Sequence, residues 1–130
     1  MTVPGTYSDM AHALLAYDGS AKANEALFIA AYLAGKWKIS LSVVTVIEQD
    51  RTTSKTLSRA HDYLKDHDVS AEFMALKGPV AEGILGTADE NDCDLIIMGG
   101  YGLSPVLEVV IGSAVDKVLR TSRLPLIICR

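Results

Sequence analysis

The sequence predicts an α/β fold: a single domain holding a doubly wound, five-stranded parallel sheet. Three observations predict it. Five short runs of apolar or β-branched residues lie along the chain, and four segments of helical periodicity separate them. Alternation of this kind needs a crossover at each return to a parallel strand, which places helices on both faces of the sheet. The run at 94–98, DLIIM, is apolar after its first residue, as in strands buried on both sides.

The elements follow in order. Residues 12–17 (HALLAY) form a first strand that ends at the turn signal Asp18-Gly19-Ser20. Residues 21–36 are alanine-rich, with Ala23, Ala26, Leu27, Ala30, Ala31 and Ala34 at helical spacing and Gly35 marking the end. Residues 40–47 (SLSVVTVI) are rich in β-branched side chains and read as a strand. Residues 53–67 carry Leu57, Ala60, His61 and Leu64 on one face of a modest amphipathic helix. Residues 69–76 alternate and suit a strand near the sheet edge. Lys77-Gly78-Pro79 punctuates, and Pro79 suits the first turn of a helix running to Glu90. After the strand at 94–98, residues 114–121 are helical, and 124–129 (LPLIIC) form the last strand.

A sheet of this kind commonly starts in the middle, runs to one edge and returns to fill the other, in the spatial order 3-2-1-4-5. Strands one and four then lie side by side, and the crevice at their carboxyl ends is the usual ligand position. Strand one ends at Asp18 and strand four at Gly99, so the stretch MGGYGLSPVLEVVIGS, residues 98–113, falls at that crevice. Backbone without Cβ atoms can turn its N–H groups toward an anion. Gly112-Ser113 opens the last helix, whose N–H groups and dipole also favour negative charge. A second reading stands beside this one. Ser113 with Asp116 is a capping-box pattern, and Gly99 and Gly100 serve equally as turn residues. Asp18 is open in the same way: its carboxylate suits a sugar hydroxyl or an exocyclic amine, and DGS also suits a turn that caps the first helix. The P-loop pattern is absent, and Gly100-x-Gly102 lacks the third glycine of the dinucleotide fingerprint. A mononucleotide therefore fits better than NAD.

Composition narrows the function classes. At 130 residues the chain is one domain by length, and 49% hydrophobic content supplies a core without disulfides or metal. A formal charge of −4, with no run of like charge beyond a pair, argues against a nucleic-acid surface. Cys93 and Cys129 lie in apolar segments without zinc spacing and read as small buried hydrophobes. No apolar stretch reaches the roughly 20 residues that span a bilayer. The start MTVPGTYSDMAH lacks the form of a secretory signal, so residues 1–10 are expected as a flexible tail and a cytoplasmic location is the default.

Gly99-x-x-Gly102, nine residues, then Gly112-Ser113 resembles the G-2x-G-9x-G-[ST] signature of the ATP-binding universal stress proteins. The likeness extends through LLAYDGS, VVTVIE, GPVAEGILGTADENDCDLIIMG and GSAVDKVLRTSRLPLIICR, nearly the whole chain. It implies an adenine-nucleotide α-hydrolase-like, Rossmann-like fold with the strand order reached above. By position it implies that Asp18 bonds the adenine or ribose end, that Ala16 and Tyr17 line the pocket, and that Val46 offers its backbone to adenine. Met98, Gly99 and Gly102 would line the ribose and phosphates, and Gly112, Ser113, Ala114 and Val115 would bind phosphate. The implied ligand is ATP or another adenine nucleotide, with Mg2+ as an accompanying ion. The implied assembly is a homodimer through the last strand, serving an unidentified protein partner in a stress response. The chain departs from many ATP-binding relatives at Leu103, where they carry a polar or basic residue. No basic residue lies between Leu103 and Ile111, and Glu108 adds a negative charge, so AMP or ADP is expected to compete well with ATP. No metal ligands and no catalytic side chain emerge. His12, His61 and His67 fall outside the crevice, and general-base catalysis needs a group within reach of its nucleophile. The expected function is a nucleotide-dependent regulatory module. The alternatives are a nucleotide-free interaction protein packing Val106, Leu107, Val109, Val110 and Ile111, and a weak ATPase or autophosphorylating protein using Ser113 or Ser104.

Overall fold

A computed structural model describes residues 2–3, 6–7, 11–47, 54–99 and 113–129. Near the N-terminus, β1 (Thr2–Val3) pairs antiparallel with β2 (Thr6–Tyr7). The main sheet comprises β3 (His12–Ala16), β4 (Ser40–Ile47), β5 (Ala71–Lys77), β6 (Leu95–Gly99) and β7 (Leu126–Cys129). Its order is β5-β4-β3-β6-β7, and every pairing is parallel. Counted by its own strands, this is the predicted 3-2-1-4-5 order. The helices are α1 (Ala21–Trp37), α2 (Ser54–Asp66), α3 (Val80–Glu90) and α4 (Ser113–Thr121).

The two-residue period of the strands divides the core between the two faces. Ala13, Leu15, Leu41, Val43, Leu95 and Ile97 pack against α1 and α2. Leu14, Val44, Ile96 and Met98 pack against Ala81, Ile84 and Ala88 of α3 and Val118 of α4. The edge position predicted for the alternating strand is that of β5. At the amino rim of the sheet, Ala11 N–H and His12 N–H donate to the Asp94 carboxylate at 2.9 and 3.1 Å. Asp94 N–H donates to the His12 carbonyl at 2.8 Å. His12 Nε2 and Ser42 Oγ share a 2.8 Å hydrogen bond.

Element ends differ from expectation for identifiable reasons. Helix α1 runs past Gly35 to Trp37, because Lys38 adopts the left-handed conformation that closes it, at φ 54°. Pro79 is the N-cap of α3, in extended backbone, and not part of its first turn. Strand β7 starts at Leu126 because Pro125 has no N–H for the ladder, although its carbonyl accepts from Ile96 N–H at 3.0 Å. Cys93 is buried as expected. Cys129 is only half-buried, since β7 is an edge strand. His61 is exposed, a surface residue of α2, with its ring 5.3 Å from that of Phe73.

Candidate functional site at the carboxyl rim

The ladder between β3 and β6 ends at Ala16 opposite Met98, and that between β3 and β4 ends at Ala16 opposite Val44. Tyr17 N–H still reaches the Val44 carbonyl, at 2.9 Å. Strand β4 then continues to Ile47, paired only with β5. In a parallel ladder the main-chain groups of residues i and i+2 point to the same side. The Val46 N–H and C=O therefore face the space beyond Tyr17, where β3 has stopped. The Val46 side chain is committed elsewhere: a Cβ on Gly83 of α3 would lie 2.8 Å from its Cγ2.

Asp18 is exposed at the head of the β3–α1 turn. One carboxylate oxygen accepts from Ser20 N–H at 2.9 Å, Gly19 supplies a φ of +83°, and Ser20 Oγ caps α1 by accepting from Ala23 N–H at 3.2 Å. The turn reading of DGS thus holds, and it leaves the Asp18 carboxylate on the rim. Tyr17 supports the rim from below. Its side chain is 2% exposed in the α1/α2 layer, and its hydroxyl donates to Asn24 Oδ1 at 2.6 Å. Its carbonyl accepts from Thr45 Oγ1 at 2.7 Å. Burial raises the Tyr17 phenol above its ordinary pKa, and the Arg59 guanidinium beside it offsets part of that rise. Ala16 faces the opposite layer, partly buried.

Met98 points into the α3/α4 layer, 5% exposed. Gly99 ends β6 in a backbone conformation outside the left-handed region. A Cβ there would lie 2.6 Å from the Ala23 nitrogen and 2.6 Å from the Lys22 carbonyl carbon. Glycine is needed at this position for the close approach of strand and helix, which brings the N-terminal turn of α1 against the end of β6. Ser113, Ala114 and Val115 form the first turn of α4, which starts one residue earlier than expected. Since α4 leads back to the amino end of β7, its N-terminus lies on the carboxyl side of the sheet. An ion pair from Lys117 to Glu82 ties it to α3. Gly102 and Gly112 lie outside the described residues, as do Leu103 and Glu108.

The structure gathers Ala16, Tyr17, Asp18, Val46, Met98 and Gly99 around one rim. It adds residues that sequence reasoning missed: Thr45, Asn24, Thr56 and Arg59. Thr56 Cγ2 and an Arg59 guanidinium nitrogen lie 3.5 and 4.0 Å from the position of a Cβ on Gly19. A threonine inside the apolar run SVVTVI was the one available signal, because a buried hydroxyl needs a partner. Among the described residues no three His, Cys, Asp or Glu side chains gather as metal ligands, and no helix is long and apolar enough to cross a membrane.

The family model for the universal stress proteins matches residues 10–130. The chain belongs to the universal stress protein family. It is 31% identical to universal stress protein Slr1230 of Synechocystis, over 100% of this chain and 46% of that one. This universal stress protein thus spans about half the length of that relative. It is 32% identical to a universal stress protein of Thermus aquaticus, over 90% of this chain and 96% of that one. A universal stress protein solved in complex with cAMP superposes with a TM-score of 0.79 at 24% identity, covering 92% of this chain and 95% of that one. The Archaeoglobus fulgidus universal stress protein solved with dAMP superposes at 0.70 and 23% identity, covering 92% and 96%. These two likenesses bear on the fold.

Proposed function

We propose that this universal stress protein binds an adenine nucleotide across the carboxyl ends of β3, β4 and β6 and uses it to control contact with a protein partner. One observation carries the reading: β4 outruns β3, so the Val46 main chain and the Asp18 carboxylate border the same space. One N–H and one C=O on a single residue suit a purine edge that pairs an acceptor with a donor. Asp18 accepts from ribose hydroxyls with its unturned oxygen. Gly99, Gly102, Gly112 and the first turn of α4 from Ser113 to Val115 receive ribose and phosphate through main-chain N–H groups and the Ser113 hydroxyl. The cAMP and dAMP held by two structural neighbours are both adenylates, which supports this ligand class. With no cation between Leu103 and Ile111, AMP and ADP bind nearly as well as ATP, and Mg2+ accompanies a polyphosphate. Half-buried Leu126–Cys129 on the edge strand β7 supports a homodimer paired along that strand.

Denaturing the purified protein and separating released nucleotides by chromatography tests the reading, with calorimetric titration of ATP, ADP and AMP alongside. Gly102→Val stays folded and loses the nucleotide. A folded parent protein that releases no nucleotide and gives no heat with any adenylate overturns the proposal. An affinity for ATP more than about tenfold above both others overturns the assigned preference.

A further inference from the structure

We infer that Arg59 of α2 covers the base of the bound nucleotide and sets affinity at the adenosine end of the site, an inference that rests on the adenine-nucleotide reading above. Its guanidinium stands at the β3–α1 turn, 4.0 Å from the position of a Cβ on Gly19, with Thr56 one turn earlier on the same helix face. It also sits beside the Tyr17 hydroxyl, which already donates to Asn24. A planar cation with five donors keeps most of them when one is turned to a phenol. Arg59 is exposed, so its side chain is not consumed by the core.

The sheet order decides which end of the ligand Arg59 serves. Strands β4 and β6 lie on opposite sides of β3. Helix α2 packs on β5, and Arg59 arrives from the β4–β5 side, where the Val46 main chain looks into the crevice. The anion-binding features, Gly99 and the first turn of α4, lie on the β6 side. A guanidinium on the base side has a planar ring for a neighbour, and guanidinium stacks on aromatic faces where an ammonium does not. Tyr17 positions Arg59 there, and Gly19 leaves the room.

Calorimetry with adenosine, AMP and ATP on the parent, Arg59→Leu, Arg59→Lys and Tyr17→Phe proteins tests this. Arg59→Leu weakens all three ligands by the same factor, about tenfold, with the thermal midpoint unchanged. Arg59→Lys restores little of that loss, because the charge returns without the plane. Tyr17→Phe weakens adenosine less than Arg59→Leu does, since it removes the phenol beside Arg59 and leaves the guanidinium in place. The inference is overturned by an undiminished Arg59→Leu protein, by a loss that grows from adenosine to ATP, or by full rescue with lysine. A parent protein that binds none of the three removes the adenine-nucleotide reading itself.

Discussion

The two rims of the sheet each present an aspartate at a strand end, and they use it to opposite effect. Asp94 at the amino rim accepts from main-chain N–H groups 82 and 83 residues away, bonding β6 to the start of β3. Asp18 at the carboxyl rim bonds a main-chain N–H two residues away. The first carboxylate stitches strands together. The second organises its own turn, and among the described residues β4 extends past β3 only on that side. The sequence distance of a carboxylate's partner thus separates an aspartate that joins strands from one that organises a turn.

The strongest way to break this contrast is at Gly99, where the carboxyl rim depends on one close approach. Gly99→Ala drives a Cβ into the main chain of α1, which cannot rotate away, and costs about 3 kcal/mol in urea denaturation. A variant as stable as the parent would show that strand and helix are not held so near. Next comes Cys93, beside Asp94 at the amino rim. Burial pushes its thiol up to about 11 from 9.0. The folded thiol stays neutral while the unfolded one ionises. That stability is whole below pH 9 and is lost as the pH rises through 11, on the order of 2 kcal/mol. Cys93→Ala should flatten the alkaline slope relative to the parent, whatever it does to stability at pH 7.

The paired aspartate variants sharpen the comparison. Asp94→Ala costs about 2 kcal/mol, since two main-chain donors lose a charged acceptor, and leaves adenylate affinity unchanged. Asp18→Ala costs less than about 1 kcal/mol and weakens adenosine about tenfold. Equal stability losses in the two proteins, measured by thermal unfolding, would erase the distinction between the rims.

Much of this was legible from patterns with a fixed period. The alanine face of α1, the β-branched run of β4 and the apolar run of β6 name their own elements, and their alternation dictates the topology. What escaped reading depends on neighbours far along the chain. Gly99 reads as a turn glycine because α1, whose main chain excludes its Cβ, follows β3, three strands earlier in the chain. Gly35 looked like a helix stop, but the left-handed residue is Lys38, and no side-chain propensity marks a lysine for that role. Arg59 was hidden for another reason: on an amphipathic helix an arginine on the polar face is indistinguishable from solvated charge until the turn it overlooks is placed. Cys129 reads as buried because a cysteine in an apolar run is commonly a core residue, although the predicted strand order already puts the last strand at an edge.

The overhang of β4 has a consequence for how the protein tolerates change. Thr45, Val46 and Ile47 extend about 10 Å beyond the last residue of β4 paired with β3, and this ledge is a difference in length between two neighbours. No particular side chain creates it. Val46 can become isoleucine or leucine and the peptide groups facing the gap stay where they are. Removing one residue between Ser40 and Val46 would shorten the ledge by one residue and move every later side chain of β4 to the other face of the sheet. Point substitutions therefore spare it, and a deletion does not.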